Sequence, residues 1–118
     1  AAWKGKNGTL DDAAYRALAE AHPRDGDLQE AYATLLLEAD DRATLEQALE
    51  KWRELEQRSP KRSPRWFRAK HAVALLHYRL GNPAQAAKII NLLNVLHPDL
   101  GGPEMKARFE DLLARCRE

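Results

Sequence analysis

Pro23, Pro60 and Pro98 stand 37 and 38 residues apart, and each closes a stretch with helical apolar spacing. Leu18, Leu55 and Leu93 lie five residues before them, and Tyr15, Trp52 and Ile90 lie eight before. A large apolar residue at one fixed distance from a helix stop, three times over, implies that a single supersecondary unit is repeated. Units of this length bury their apolar faces only against their neighbours. The expected architecture is therefore an all-α helical solenoid and not an enzyme core.

The spacing predicts about six helices. Residues 1–8, with Gly5, Asn7 and Gly8, read as a loose lead-in to a single domain over 9–118. Thr9 is expected to cap a first helix running to about His22. Asp27 with Glu30 predicts a capping box for the second, which carries Leu28, Tyr32, Leu35, Leu36 and Ala39 and closes at Asp40–Asp41. Thr44 with Gln47 predicts another box, opening a third helix with Leu45, Ala48, Leu49, Trp52 and Leu55 on one stripe. Ser63 is a natural N-cap, and Pro64 a natural first helical residue, because the N–H that proline lacks would find no helical partner there. That fourth helix should bury Trp66, Ala69, Val73, Leu76 and Leu80 and end at Gly81. Asn82-Pro83-Ala84-Gln85 opens the fifth, with Ala86, Ile89, Ile90, Leu93 and Leu96 facing inward. Pro103 opens the last, with Met105, Phe109, Leu112, Leu113 and Cys116 inward. No strand pattern competes, and the short loops predict antiparallel neighbours.

Residues 67–100 resemble a tetratricopeptide repeat (TPR): Gly81, Ala86 and Pro98 stand at that family's spacing, and Ala74 takes its small-residue place. Residues 29–62 resemble a second, more divergent copy. There Tyr32 and Leu35 take the places of the usual Trp and Leu, Ala48 and Pro60 match, Trp52 takes the aromatic place and Ala43 replaces the glycine. Four residues are inserted around Lys61–Pro64, and helices over 9–22 and 103–117 flank the two units. The resemblance implies a right-handed α–α superhelix whose concave face holds an extended peptide or a helix. Carried over by alignment, that groove takes Glu30, Ala33, Thr34 and Leu37 from the second helix, and Arg68, His71, Leu75, Tyr78 and Arg79 from the fourth. His71 and Leu75, and in the other unit Ala33 and Leu37, stand where some relatives of this type carry a Lys and Asn carboxylate clamp, so that clamp is missing. The remaining surface suits an acidic, partly apolar peptide or protein. Whether the terminal helices cover Leu37 and Leu75 in so short an array is open at this level.

Charge adds a second class of partner. The net charge is +1, but residues 1–58 hold eight basic and thirteen acidic side chains (−5), and residues 59–118 hold eleven and five (+6). Opposed halves favour steering of a partner or salt-dependent head-to-tail self-assembly. Arg58, Lys61, Arg62, Arg65, Arg68 and Lys70 surround Trp66 and Phe67 and are an alternative nucleic-acid surface. Against this stands a plain turn whose aromatics pack between repeats.

Nothing in the sequence calls for a catalyst, a cofactor or a metal. His71 and His77 are six apart, which is not the i, i+4 spacing that shares a metal. His22 and His97 precede helix-ending prolines, where a histidine serves a helix C-terminus. No nucleophile has a visible base and no glycine loop is long enough to cradle phosphate. Hydrophobic content of 44% with 31% charge is that of a folded globular chain. No apolar run approaches the ~20 residues of a membrane-spanning helix. Cys116 is the single cysteine, so an internal disulfide is impossible. The chain begins Ala1-Ala2-Trp3 and reads as a piece of a longer protein, with no indication of compartment or oligomeric state.

Overall fold

A computed structural model describes residues 12–118. Six helices follow in order: α1 (Asp12–Ala21), α2 (Gly26–Leu36), α3 (Arg42–Arg58), α4 (Pro64–Arg79), α5 (Pro83–Leu96) and α6 (Pro103–Cys116). No strand occurs among the described residues. The lead-in over 1–8 and the Thr9 cap lie outside them. α1, α3 and α5 each stop two residues before Pro23, Pro60 and Pro98. The residue ahead of a proline is pushed out of the helical region, so the helix ends before it.

Three helix starts share one geometry. Asp25 accepts from the backbone N–H of Leu28 at 3.1 Å, Asp41 from that of Thr44 at 2.9 Å, and Ser63 from that of Trp66 at 3.2 Å. Each cap satisfies the N–H three residues on, one of the donors a helix start leaves orphaned. Ser63 and Pro64 sit where the sequence puts them. The expected boxes at Asp27–Glu30 and Thr44–Gln47 are corrected: both begin too late. An aspartate two or three residues upstream holds each cap, and Asp41 opens α3 where the sequence reading has it closing α2. A carboxylate is the stronger acceptor, and Thr44 becomes its client through both its N–H and its hydroxyl, the latter at 2.7 Å.

Gly81 ends α4 at φ 91°. The N–H of Asn82 bonds to the His77 carbonyl at 2.8 Å, and that of Gly81 to the Tyr78 carbonyl at 3.1 Å. This Schellman closure needs the left-handed conformation that glycine adopts without strain. Gly101 (φ 89°) meets a second demand, because a Cβ there would lie 2.7 Å from Cγ of Phe67. The α5–α6 turn thus rests on α4 and buries Leu100.

Consecutive helices are neighbours, and α4 also packs against α6. One core cluster joins Ala33 and Leu36 of α2, Leu45, Ala48, Trp52 and Leu55 of α3, and Ala69, Ala72, Val73 and Leu76 of α4. A second joins Trp66, Phe67 and Ala74 of α4 to Ala86, Ile90 and Leu93 of α5 and to Phe109 and Leu112 of α6. α4 belongs to both and is buried on most of its circumference, well beyond the single stripe expected of it. Ala33, Ala48, Ala69, Ala74 and Ala86 are wholly buried, and their small side chains let the helix backbones approach. Trp52 closes the first junction by donating its indole N–H to the Ala33 carbonyl at 3.1 Å. One member of the expected inward set is corrected. Leu96 of α5 is on the surface, 61% exposed, beside Leu92 and Val95. Ala86, Ile90 and Leu93 already fill the core side of α5, and among the described residues no helix packs over its other side.

Candidate docking site

The side chains expected to line an inner groove are largely used in holding α4 to its neighbours. The Glu30 carboxylate of α2 accepts from Arg65 Nε at 3.0 Å and from Arg68 Nε and Nη2 at 2.5 and 2.9 Å. These bonds, that of Arg68 foremost, hold its carboxyl below the usual range although burial works the other way. Arg65 also pairs with Asp27. At the far end, Arg79 donates to the Leu37 and Ala39 carbonyls just beyond α2, which satisfies acceptors that a helix end leaves open. His71 sets its ring edge against Phe109 of α6, with centroids 5.2 Å apart. Leu75 and Tyr78 pack on the same α4–α6 cluster, and Leu37 packs on the first cluster. Ala33 is wholly buried and lines no groove. Thr34 stays exposed, its hydroxyl turned back to the Glu30 carbonyl at 2.8 Å.

The basic stretch is divided in the same way. Arg58 donates to the Pro23 carbonyl at 3.2 Å. Lys70 pairs with Glu56 at 2.7 Å and sits 5.1 Å from the centre of the Trp66 ring. Arg65 and Arg68 are held by α2. Lys61 and Arg62 are exposed with neither an ion pair nor a side-chain hydrogen bond to a described residue, whereas Arg58, also exposed and without an ion pair, is held by the Pro23 carbonyl. Four ion pairs, Arg65–Asp27, Arg65–Glu30, Arg68–Glu30 and Lys70–Glu56, join the acidic first half to the basic second half. Three acidic side chains of the first half and three basic ones of the second therefore meet within the fold.

The histidines do not converge. Burial, then Arg108, lowers the pKa of His71; burial, then Arg53, lowers that of His77, whose ring nitrogen is 3.3 Å from the Arg53 guanidinium. His97 packs edge-on against Trp66 and Phe67 at 5.4 and 5.9 Å, and the His22 carbonyl accepts from Gln29 at 2.9 Å. Among the described residues no three His, Cys, Asp or Glu side chains are grouped to hold a metal, and no helix is long and apolar enough to cross a membrane. A half-open cleft of about 600 Å³ lies between the α1–α2 turn and the α3–α4 turn, lined in part by Pro23, Arg24, Arg58, Pro60 and Arg65. Its Arg58 and Arg65 are the ones already committed to protein acceptors.

A different surface remains open. Between the C-terminal ends of α3 and α5 runs a groove of about 470 Å³, with Glu56 and Gln57 on one wall, Leu92 and Leu96 on the other, and Trp66 and Lys70 at its base. Lys61 stands at its rim. Leu92, Val95 and Leu96 form a ridge on α5, 60%, 76% and 61% exposed, of which Leu92 and Leu96 line the groove. Around them the exposed residues of α5 are Pro83, Ala84, Gln85, Lys88, Asn91 and Asn94, with one charge. The exposed side of α3 instead carries Arg42, Glu46, Glu50, Arg53, Glu54 and Arg58. A contiguous apolar ridge with charge removed from around it is the composition of an interface centre. The sequence holds the signal: Pro83–Leu96 has one charged residue in 14, against 31% charge in the whole chain.

No protein-family model matches this chain, and no curated protein and no solved structure matches it either. The tetratricopeptide resemblance rests on the residues quoted for it.

Proposed function

We propose that this chain is a protein–protein interaction module, built as a TPR-like solenoid of two helical hairpins, α2–α3 and α4–α5, between α1 and α6. The partner docks in the α3–α5 groove and not on the inner face. The observation that carries this reading is the Leu92, Val95 and Leu96 ridge, solvent-exposed beside a groove based on Trp66. Full burial of such a side chain is worth about 1.5–3 kcal/mol. Three of them form the apolar centre of an interface, and against an association cost of about 4–15 kcal/mol the groove wall and the partner's further contacts supply the rest. The ion pairs of Arg65, Arg68 and Lys70 count against nucleic-acid binding, because those cations are already neutralised. They count equally against head-to-tail assembly driven by the opposed halves.

Co-purification from an extract of the source organism, quantified by mass spectrometry and repeated with the purified partner, tests this. A partner held by the wild type and by Thr34→Arg, but lost by Leu92→Asp with Leu96→Asp, supports the outer groove. Loss with Thr34→Arg alone moves docking to the inner face. Recovery that depends on nucleic acid and on Lys61 and Arg62 replaces the protein-binding reading.

A further inference from the structure

The groove has a polarity along its length, and the polarity specifies what fills it. α3 and α5 both place their C-terminal ends at the groove: Glu56, Gln57 and Ser59 on one side, Leu92, Leu93, Leu96 and His97 on the other. One end is marked by Lys61, with Arg62 adjacent in the chain, both exposed. The backbone of Arg62 is held in the left-handed region, φ 71°, in the five-residue turn between α3 and α4. Lys70 lies deeper, bridged to Glu56 and stacked on Trp66. The one acidic side chain lining the groove, Glu56, is thus already paired, whereas Lys61 has no ion pair to a described residue, nor has Arg62 next to it in the chain. α5 itself contributes no acidic residue at all.

Resting on the reading of this groove as the docking surface, we infer that its occupant is an amphipathic helix of a partner protein with acidic residues at one end. Its apolar stripe lies along Leu92, Val95 and Leu96, and its acidic end meets Lys61 and Arg62. The groove is walled by α3 and α5 with residues of α4 between them, and an amphipathic helix fills such an inter-helix groove through apolar anchors of its own at i, i+3 and i+4. A second copy of the chain is the poorer occupant. A stable dimer covers about 800 Å² on each side, far more than three side chains present. An isologous contact would also set Lys61 and Arg62 of both copies on one shared surface without acidic counterparts. The cations fix the direction of docking and, through faster encounter with an acidic partner and repulsion of a basic one at low salt, set its selectivity.

The test uses two synthetic helical peptides with the same Leu positions (i, i+3, i+4, i+7), one with Glu on the flanks and one with Lys. Each is titrated into the ¹⁵N-labelled wild type and into Lys61→Glu with Arg62→Glu. The inference expects the Glu peptide to bind at least about tenfold tighter than the Lys peptide at low salt, with shifts centred on Leu92, Leu96 and the Trp66 indole. The double variant should abolish or reverse that preference while its spectrum stays folded, both positions being exposed. Equal affinity for the two peptides overturns the acidic partner and leaves the docking surface standing. Shifts centred on Thr34 and Arg79 overturn both. Concentration-dependent dimerisation through Leu96, seen by sedimentation without peptide and lost in Leu96→Asp, also overturns the inference in favour of a second copy.

Discussion

His71, Leu75 and Tyr78 on α4 and Leu92, Val95 and Leu96 on α5 are two short, mainly apolar sets with helical spacing, yet they meet opposite fates. The first is covered, because α6 folds back onto α4 and sets Phe109 against His71. The second is bare, because α3 stands across a groove from it instead of closing over it. Spacing alone does not distinguish them. Position in the chain does: α4 has a helix on either side to use its inner surface, α2 through charge and α6 through apolar packing. Among the described residues the outer edge of α5 has none. The inner surface of α4 is thus used in holding the helices together, and the apolar surface left open lies on the outer side of α5.

The contrast breaks most readily at Phe109, which is wholly buried. Phe109→Ala should lower stability by about 3–5 kcal/mol in urea denaturation. A loss under about 1 kcal/mol, within the range of a surface substitution, would mean that α6 does not seal α4. Gly101→Ala comes next, with an expected loss of about 1–3 kcal/mol from the positive φ and the overlap with Phe67. A neutral Gly101→Ala would show that the turn is not seated on α4. Glu30→Gln removes the carboxylate between Arg65 and Arg68 and should cost about 1–2 kcal/mol near neutral pH.

The pH dependence of that difference has a fixed sign. Arg68 and Arg65 lower the folded-state pKa of Glu30 below its ordinary 4.5. The unfolded state therefore binds the proton more readily, and the stabilisation is complete above about that value. It is lost as pH falls through the lower folded-state value. Wild type and Glu30→Gln should converge in acid, and a gap that widens as pH drops below 4.5 would contradict the ion-pair account. The smallest stability effect belongs to the outer face. Leu92→Asp with Leu96→Asp should change stability by no more than about 0.5 kcal/mol per site while removing partner binding, so a large loss would show that the ridge is packed and not open.

Much of the architecture is legible in the sequence because proline, glycine and apolar spacing act locally. The three prolines mark the ends of α1, α3 and α5, Ser63 and Pro64 mark the start of α4, and Gly81 marks its end. The caps at Asp25 and Asp41 are misread because a threonine or aspartate followed by Glu or Gln at the fourth place imitates a capping box, and the true acceptor lies a few residues upstream. The site is less legible for a physical reason. Glu30 with Arg68, or His71 with Phe109, are 38 residues apart in the chain, and nothing in either segment announces that they meet. A charged or polar side chain on an expected groove reads the same in sequence whether it faces a ligand or a neighbouring helix. Leu96 falls on both the inward stripe and the ridge by spacing, and only the filling of the core by Ile90 and Leu93 decides between them. The lack of charge in Pro83–Leu96 is the one local mark of the outer surface.

Methyl groups answer the central comparison directly. With leucine and valine methyls labelled, relaxation by a soluble gadolinium chelate reports how closely solvent approaches each one. The account predicts strong relaxation for Leu92, Val95 and Leu96, and weak relaxation for Leu75 of α4 and for Leu112 on the buried side of α6. Equal relaxation of Leu75 and Leu92 would contradict it, for the inner face would then be as open as the outer one.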